Sequence, residues 1–275
     1  MKKPYRLPAN RKELFFDLVK NRFFTLVSLN IMTFFFLLPA VLFIFYADNI
    51  VLAEENATSV VLTSIVWGIM IPLIGFAGLG FGGLFYTLKK LIWNEGTLAF
   101  GDFLEGIKKN GKRFFLYFVF LGVSFLLLNV ASAALASSED LHWAAKGVCL
   151  GLMILQLIFL LMLLMYVLPQ EILYADRVKV IFSNAAKFLA GTFFKTVGVF
   201  LLSGFPYVPL FFDFAPIVQY VFLTIAALFS FSYAALLWTL NAHEVFDRTI
   251  NRNYPEIIGK GLYPSEKKLT DHHND

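Results

Sequence analysis

Six long stretches without Asp, Glu, Lys or Arg constrain the fold of this chain most strongly. They cover residues 23–47, 59–88, 114–135, 147–168, 196–212 and 215–242. Most reach the roughly 20 residues that a helix needs to cross a hydrocarbon core about 30 Å thick. With 275 residues, 59% of them hydrophobic and 33 of them Phe, the chain is too apolar for a soluble core. The sequence therefore predicts an all-α membrane protein, a six-helix transmembrane bundle.

The basic residues predict how the chain is threaded. Of the 23 Lys and Arg, all but Lys146 lie in segments 1–22, 89–113, 169–195 and 243–275, which alternate with short acidic connections. Cytoplasmic segments collect Lys and Arg, so both termini are expected in the cytoplasm. The chain then divides into an N-terminal segment (1–22), a six-span domain (23–242) and a C-terminal tail (243–275).

The same basic segments indicate the partners of the chain. Basic residues that flank apolar runs fit the anionic inner leaflet of a lipid bilayer, and this arrangement argues against nucleic acid as a partner. Residues 100–113 and 177–195 alternate apolar and polar positions at helical spacing, which predicts amphipathic helices at the cytoplasmic interface. We expect both of them to contact a protein partner, and in the first the docking face is formed by Phe103, Ile107, Lys108, Lys109, Lys112 and Arg113.

Two spans contain residues that alter helix geometry. In the second span, Gly68, Gly75, Gly78 and Gly82 lie on nearly one helical face, which suits close helix packing or a glycine-lined groove for a transported molecule. The run 78–83 matches a dinucleotide-binding pattern only formally, since it lies inside an apolar span rather than after a strand. In the fifth span, Pro206 and Pro209 predict a kink or an end of the helix.

Polar residues within the spans are uncharged. The absence of Asp, Glu, Lys and Arg away from the span ends argues against a proton- or sodium-driven transporter. Hydrogen bonding between helices is the expected role of all five, which are Asn30, Asn129, Gln156, Gln219 and Asn241. The alternative is that such residues, above all Asn129, Gln156 and Gln219, line a path for an uncharged solute.

The sequence predicts no catalytic, cofactor or metal site. His243 and Asp247 share a helical face at the end of the last span, but two ligands at that spacing make a poor metal site. The carboxylates of the basic segments, among them Glu95 and Glu171, stand in no recognisable catalytic motif and are expected to balance nearby cations. Cys149 has no partner for a disulfide.

Several short motifs follow one another in the order found in a known family. They are Leu29-Asn30, Leu38-Pro39, the run 83–89 (GLFYTLK), Glu95-Gly96, Phe100, Asp102-Phe103, Lys108-Lys109-Asn110, the run 166–169 (YVLP), and Asn241 with Phe246-Asp247. In these motifs the chain resembles the YesL-like family of bacterial membrane proteins, a domain family of unknown function. The stretch from Asn30 to Tyr86 is longer than the family pattern, so the first hairpin departs from it.

The resemblance implies a multi-pass protein of the bacterial plasma membrane, in a family often found beside carbohydrate-uptake and carbohydrate-degradation systems. We therefore expect a non-enzymatic accessory or scaffold component of a solute-uptake or envelope system. The first alternative is a transporter or permease subunit for a neutral solute such as a sugar, and the second is a membrane-embedded enzyme.

Overall fold

Eight α-helices make up most of the chain in the computed structural model, which describes residues 8–47, 59–174, 176–211 and 216–262. In chain order they are α1 (Arg11–Asn21), α2 (Phe23–Tyr46), α3 (Val60–Ile92), α4 (Ala99–Ser137), α5 (Trp143–Leu173), α6 (Val178–Gly191), α7 (Phe193–Gly204) and α8 (Pro216–Arg248). Short 3₁₀ helices cover Phe205–Phe211, Ile250–Asn253 and Pro255–Ile257. The described residues include no strand, so the predicted all-α class is confirmed.

Five of these helices are long and apolar enough to cross a membrane: α2, α3, α4, α5 and the Tyr220–Arg248 part of α8. A sixth crossing is available if α6 and α7 count as one broken span, although they bend by 98° where they meet. By length and composition the molecule is therefore a multi-pass helical membrane bundle. The predicted six spans correspond to α2, α3, α4, α5, α7 with its 3₁₀ extension, and α8.

The outer surface of the bundle is apolar, as contact with lipid requires. Phe24 is 83% exposed, Phe35 71% and Val61 69%, and large exposed side chains continue along α4, α5 and α8. A soluble protein rarely exposes apolar patches of this extent. These side chains are accommodated by a lipid bilayer.

The fifth predicted span is interrupted where its prolines predict. α7 has 12 residues and is about 18 Å long, too short to cross the hydrocarbon core on its own. It ends at Gly204, and the chain continues as a 3₁₀ helix that contains Pro206 and Pro209. Proline lacks a backbone donor and clashes with the preceding turn, so the α-helical pattern stops here.

α4 differs from expectation. Residues 100–113 do not form a separate interfacial helix but are the first turns of α4, whose 39 residues span about 58 Å. The helix therefore projects well beyond the membrane at the end where α3 finishes. The helix continues through Gly111 near the junction of the amphipathic and apolar stretches, no proline lies between them, and side chains of α3 contact both.

α6 is amphipathic, as predicted, but its apolar face is covered by protein. Ile181, Ala185 and Leu189 are each no more than 1% exposed, whereas the charged Lys179 and Lys187 face outward. Ring contacts join Phe182 to α4 and Phe188 to α5 and α8. The helix is thus held by the bundle itself.

Apart from Lys146 near the start of α5, the charged residues of the described helices lie at one end of the molecule, which we call the basic end. There α1, which was not predicted, begins with Asn10 as its N-cap and buries Leu14 and Leu18. α8 continues past residue 242 to Arg248, so the predicted boundary with the tail falls inside a helix. The final residues of the tail, 263–275, lie outside the described part of the chain.

Candidate functional site

The glycines of α3 allow α4 to approach very closely. A Cβ added at Gly75 would lie 2.7 Å from Val119 Cγ2, and one at Gly78 would lie 2.6 Å from the backbone oxygen of Phe114. Gly82 makes ordinary contact with the Phe114 side chain, while nothing lies within 4 Å at Gly68. Three of the four predicted glycines thus face α4, which favours helix packing over a groove.

Further glycines, not singled out in the sequence, extend this contact. A Cβ at Gly83 would lie 2.7 Å from the Phe103 backbone oxygen, and one at Gly106 would lie 2.6 Å from Tyr86 Cβ. Gly80 instead faces Phe36 of α2. The contact between α3 and α4 therefore runs from the middle of the bundle to its basic end without room for a solute.

The three residues proposed as a polar path do not come together in the described part of the chain. Asn129 donates to Phe125 O of its own helix at 2.9 Å. Gln156 is exposed and lines a cavity of about 270 Å³ between α4 and α5 whose other walls are mostly apolar. The side chain of Gln219 lies outside the described residues.

Asn30 and Asn241 bond between helices, as predicted. Asn30 is fully buried in α2; its Nδ2 donates to Ala227 O at 2.5 Å and its Oδ1 accepts from Ser232 N at 3.0 Å, both in α8. Asn241 Nδ2 donates to the Tyr166 hydroxyl of α5 at 3.1 Å. Each asparagine ties α8 to a neighbouring helix.

Tyr166 is the centre of a buried polar cluster near the basic end. Its hydroxyl lies 2.7 Å from Thr192 Oγ1, at the bend between α6 and α7, and 2.7 Å from Thr196 Oγ1. Gln170, one turn further along α5, is fully buried, and neither of its amide atoms has a hydrogen-bond partner among the described residues. The same holds for the buried atoms Asn241 Oδ1 and His243 Nε2. Such atoms are costly unless water or a ligand satisfies them.

The carboxylates of the basic end are paired with cations rather than grouped with one another. Lys90 contacts Asp102 at 2.7 Å and Glu105 at 3.3 Å, which joins the ends of α3 and α4. Arg113 contacts Glu171 at 2.8 Å, and the Tyr117 hydroxyl donates to the same carboxylate at 2.6 Å. This is the charge balancing that the sequence predicts.

A second set of contacts fastens α1 and the C-terminal segment to α8. Arg11, only 8% exposed, contacts Asp247 at 2.8 Å and donates to Lys260 O at 3.0 Å. Asn251 Nδ2 donates to Asp247 Oδ1, and the Tyr174 hydroxyl donates to Asn251 Oδ1. Burial raises the pKa of the Tyr174 phenol, with the charge of Asp247 adding to the effect, so this donor keeps its proton.

The residues of the predicted docking face differ in exposure: the apolar ones are covered, and the lysines are open to solvent. Phe103 is 1% exposed and packs on Gly83, so it is unavailable to a partner, and Ile107 is half-buried. Lys108 and Lys112 are exposed and form no ion pair with any described residue. Lys109 is exposed but paired with Glu105 at 2.6 Å, and Arg113 is 41% exposed.

The structure places the two predicted amphipathic segments next to each other. Arg113 of α4 donates to Asp176 O just before α6, and Tyr117 of α4 contacts Phe182 of α6. The exposed lysines of α4 and those of α6, Lys179 and Lys187, therefore belong to neighbouring elements. We call the exposed residues Lys108, Lys112, Lys179 and Lys187 the lysine face.

No metal site among the described residues and no known relative indicates what reaction or ligand the basic end serves. Within the part of the chain that the structure describes, no three His, Cys, Asp or Glu side chains group as metal ligands. The sequence matches no protein-family model and no curated protein, and the fold matches no solved structure. The resemblance to the YesL-like family stays a prediction.

Sequence reasoning missed the polar cluster and the Arg11 contacts because their members lie far apart along the chain. Tyr166 belongs to a motif quoted only for its resemblance, and Thr192 and Thr196 lie beside a Phe pair. One signal was available: Gln170 follows an apolar span directly, where an amide has to find a partner or water.

Proposed function

We propose that this chain is a non-enzymatic accessory or scaffold component of a solute-uptake or envelope system in a bacterial plasma membrane, with its basic end in the cytoplasm. It would hold a cytoplasmic partner on the lysine face. The charge rule supports the orientation, and the resemblance to the YesL-like family supports the host and the association with carbohydrate uptake.

One observation supports docking above the other functions: the lysine face is exposed and forms no ion pair with any described residue, whereas nearby carboxylates are bound to cations outside it. Asp102, Glu105 and Glu171 are occupied by Lys90, Lys109 and Arg113. The lysines are therefore free to attract an acidic surface, and helices packed on α3 and α5 hold them in place. Complementary charge of this kind steers association.

Photo-crosslinking in cells tests docking directly. A photoreactive residue in place of Lys112 is expected to give a discrete protein adduct, whereas the same residue in place of Phe35, on the lipid-facing surface, is not. Lys108→Glu with Lys187→Glu is expected to abolish the Lys112 adduct. The matched control, Lys20→Glu with Arg22→Glu, changes the same charge at the same end and is expected to leave it intact.

A permease subunit for a neutral solute is the second candidate. The buried polar cluster supports it, because Gln170 and Asn241 offer amide atoms without partners to a hydroxylated molecule. The tight contact of α3 with α4 argues against it. Proteoliposomes that contain only the purified chain separate the two functions: sugar uptake that Gln170→Leu abolishes would overturn the accessory role, and its absence is the expected result.

A further inference from the structure

A groove at the basic end is complementary to a lipid in shape and polarity, because it is charged at one end and apolar along the rest. It lies between α1, α7 and α8, has a volume of about 510 Å³, and is lined at one end by Lys12, Lys195 and Glu244. Its walls further along are apolar and include Val199, Leu202 and Leu237. The groove is separate from the lysine face.

The length of the groove fits one leaflet of a bilayer. Glu244 and Tyr233, both lining residues on α8, are separated by eleven residues, or about 16 Å of helix. On α7 the lining passes from Lys195 through Val199 to Leu202 in the same direction. Half of the hydrocarbon core is about 15 Å thick, so a lipid with its headgroup at the charged mouth can lay an acyl chain along the apolar part of the groove.

The mouth of the groove is cationic. Lys12 is exposed and forms no ion pair with any described residue. Lys195, 41% exposed, contacts Glu244 at 2.8 Å, but Arg248 contacts the same carboxylate at 2.6 Å and can compensate it. An apolar cavity of about 380 Å³ deeper in the bundle, lined by Phe200 and Trp238 among others, has no charged residue in its wall. Among the cavities described above, the groove at the basic end is the one that combines cations with a long apolar wall.

We infer that the groove between α1, α7 and α8 binds an anionic glycerophospholipid. Its phosphate lies at Lys12 and Lys195, and one acyl chain lies along Val199, Leu202 and Leu237. The lipid bridges α1 to α7 and adds to the contacts that α7 already makes with α8, among them Lys195 with Glu244 and Ser203 with Trp238.

Native mass spectrometry of the delipidated full chain tests this inference. Titrated with phosphatidylglycerol or phosphatidylcholine of the same acyl composition, the protein is expected to retain the anionic lipid about tenfold more strongly. Each lysine near an anionic lipid contributes about fivefold to binding. Lys12→Gln with Lys195→Gln is therefore expected to reduce retention of phosphatidylglycerol at least tenfold and to leave phosphatidylcholine unchanged.

Two further variants distinguish this site from general lipid adhesion. Lys20→Gln with Arg22→Gln removes the same charge from the other end of α1 and is expected to retain the lipid. Val199→Trp fills the apolar channel and is expected to weaken both lipids. Equal retention of the two lipids, equal losses in the two charge variants, or unchanged retention of both lipids by Val199→Trp would overturn the assignment.

Discussion

Gly78 lies where α3 meets the backbone of α4, and its substitution tests how closely the two helices are held. A Cβ at this position would lie 2.6 Å from Phe114 O and 2.9 Å from Phe118 Cβ. A backbone oxygen cannot rotate away, so Gly78→Ala has to separate the helices. We expect a loss of about 1–3 kcal/mol in the free energy of unfolding, the usual range for overpacking, measured by denaturant titration in micelles.

Gly68 provides the matched control for this substitution. It lies on nearly the same face of the same helix, but nothing is within 4 Å of an added Cβ. Alanine favours a helix over glycine by up to about 1 kcal/mol. Gly68→Ala is therefore expected to be neutral or stabilising. A similar loss of stability in both variants would contradict the close contact at Gly78.

Asn30 tests the value of a polar bond between helices. Asn30→Leu leaves Ala227 O and Ser232 N in α8 without their buried partner. Bonds of this kind in membrane bundles contribute about 0.6–2 kcal/mol, so thermal unfolding in micelles is expected at a clearly lower temperature. Asn129→Leu serves as control, because Asn129 bonds only within α4. A smaller effect at Asn30 than at Asn129 would refute the bridging role.

These residues show what sequence reasoning can supply at this scale. Small residues on one face predict a close contact, and Gly75 and Gly78 provide it. The identity of the partner is not encoded locally: Gly80, two residues after Gly78, faces α2 because of the rotation of α3 in the bundle. The burial of Phe103 could not be predicted either, since its ring packs where Gly83 has no side chain.

At the scale of elements, the local sequence predicted most of the points where a helix ends, but not where one helix continues without a break. The prolines that follow α7 can be read from the sequence, and so can the alternation of apolar and polar residues in α6. The continuity of α4 leaves none, because an amphipathic stretch that enters an apolar one has the same periodicity whether or not the helix bends between them. The ion pairs of Lys90 with Asp102 and Glu105 hold the first turns of α4 along α3.

The bend between α6 and α7 depends on the Tyr166 hydroxyl. This group contacts Thr192 and Thr196 and accepts from Asn241, so it holds three elements at the point where the chain turns by 98°. Tyr166→Phe is expected to accelerate amide hydrogen exchange in residues 189–197 by about tenfold, as local opening becomes easier. Tyr220→Phe, at a side chain that is 69% exposed, is expected to leave exchange unchanged. Unaltered exchange in Tyr166→Phe would show that packing alone maintains the bend.

For the whole molecule, the sequence predicted the class and the number of apolar runs, but not which distant residues meet. Arg11 contacts Asp247, which is more than half of the chain away in sequence, and Lys195 contacts Glu244. Both pairs gather α1, α7 and α8 around one groove. Because the termini of five spans converge at the basic end, the lysine face and this groove lie at the same end of the bundle.

The orientation of the bundle is the last property that a simple experiment decides. The charge rule predicts that the basic end lies in the cytoplasm and that Lys146, near the start of α5, lies on the other side. Once Cys149 is replaced by Ser, the chain contains no other cysteine, so single cysteines report one position each. In intact cells a membrane-impermeant maleimide is expected to label Lys146→Cys. It is expected to leave Lys108→Cys and Arg248→Cys unlabelled until the membrane is permeabilised, since α4 and α8 carry both to the basic end. If the reagent labelled Lys108→Cys but not Lys146→Cys in intact cells, the orientation would be the opposite of the predicted one. The lysine face would then lie outside the cell and would meet extracellular rather than cytoplasmic partners.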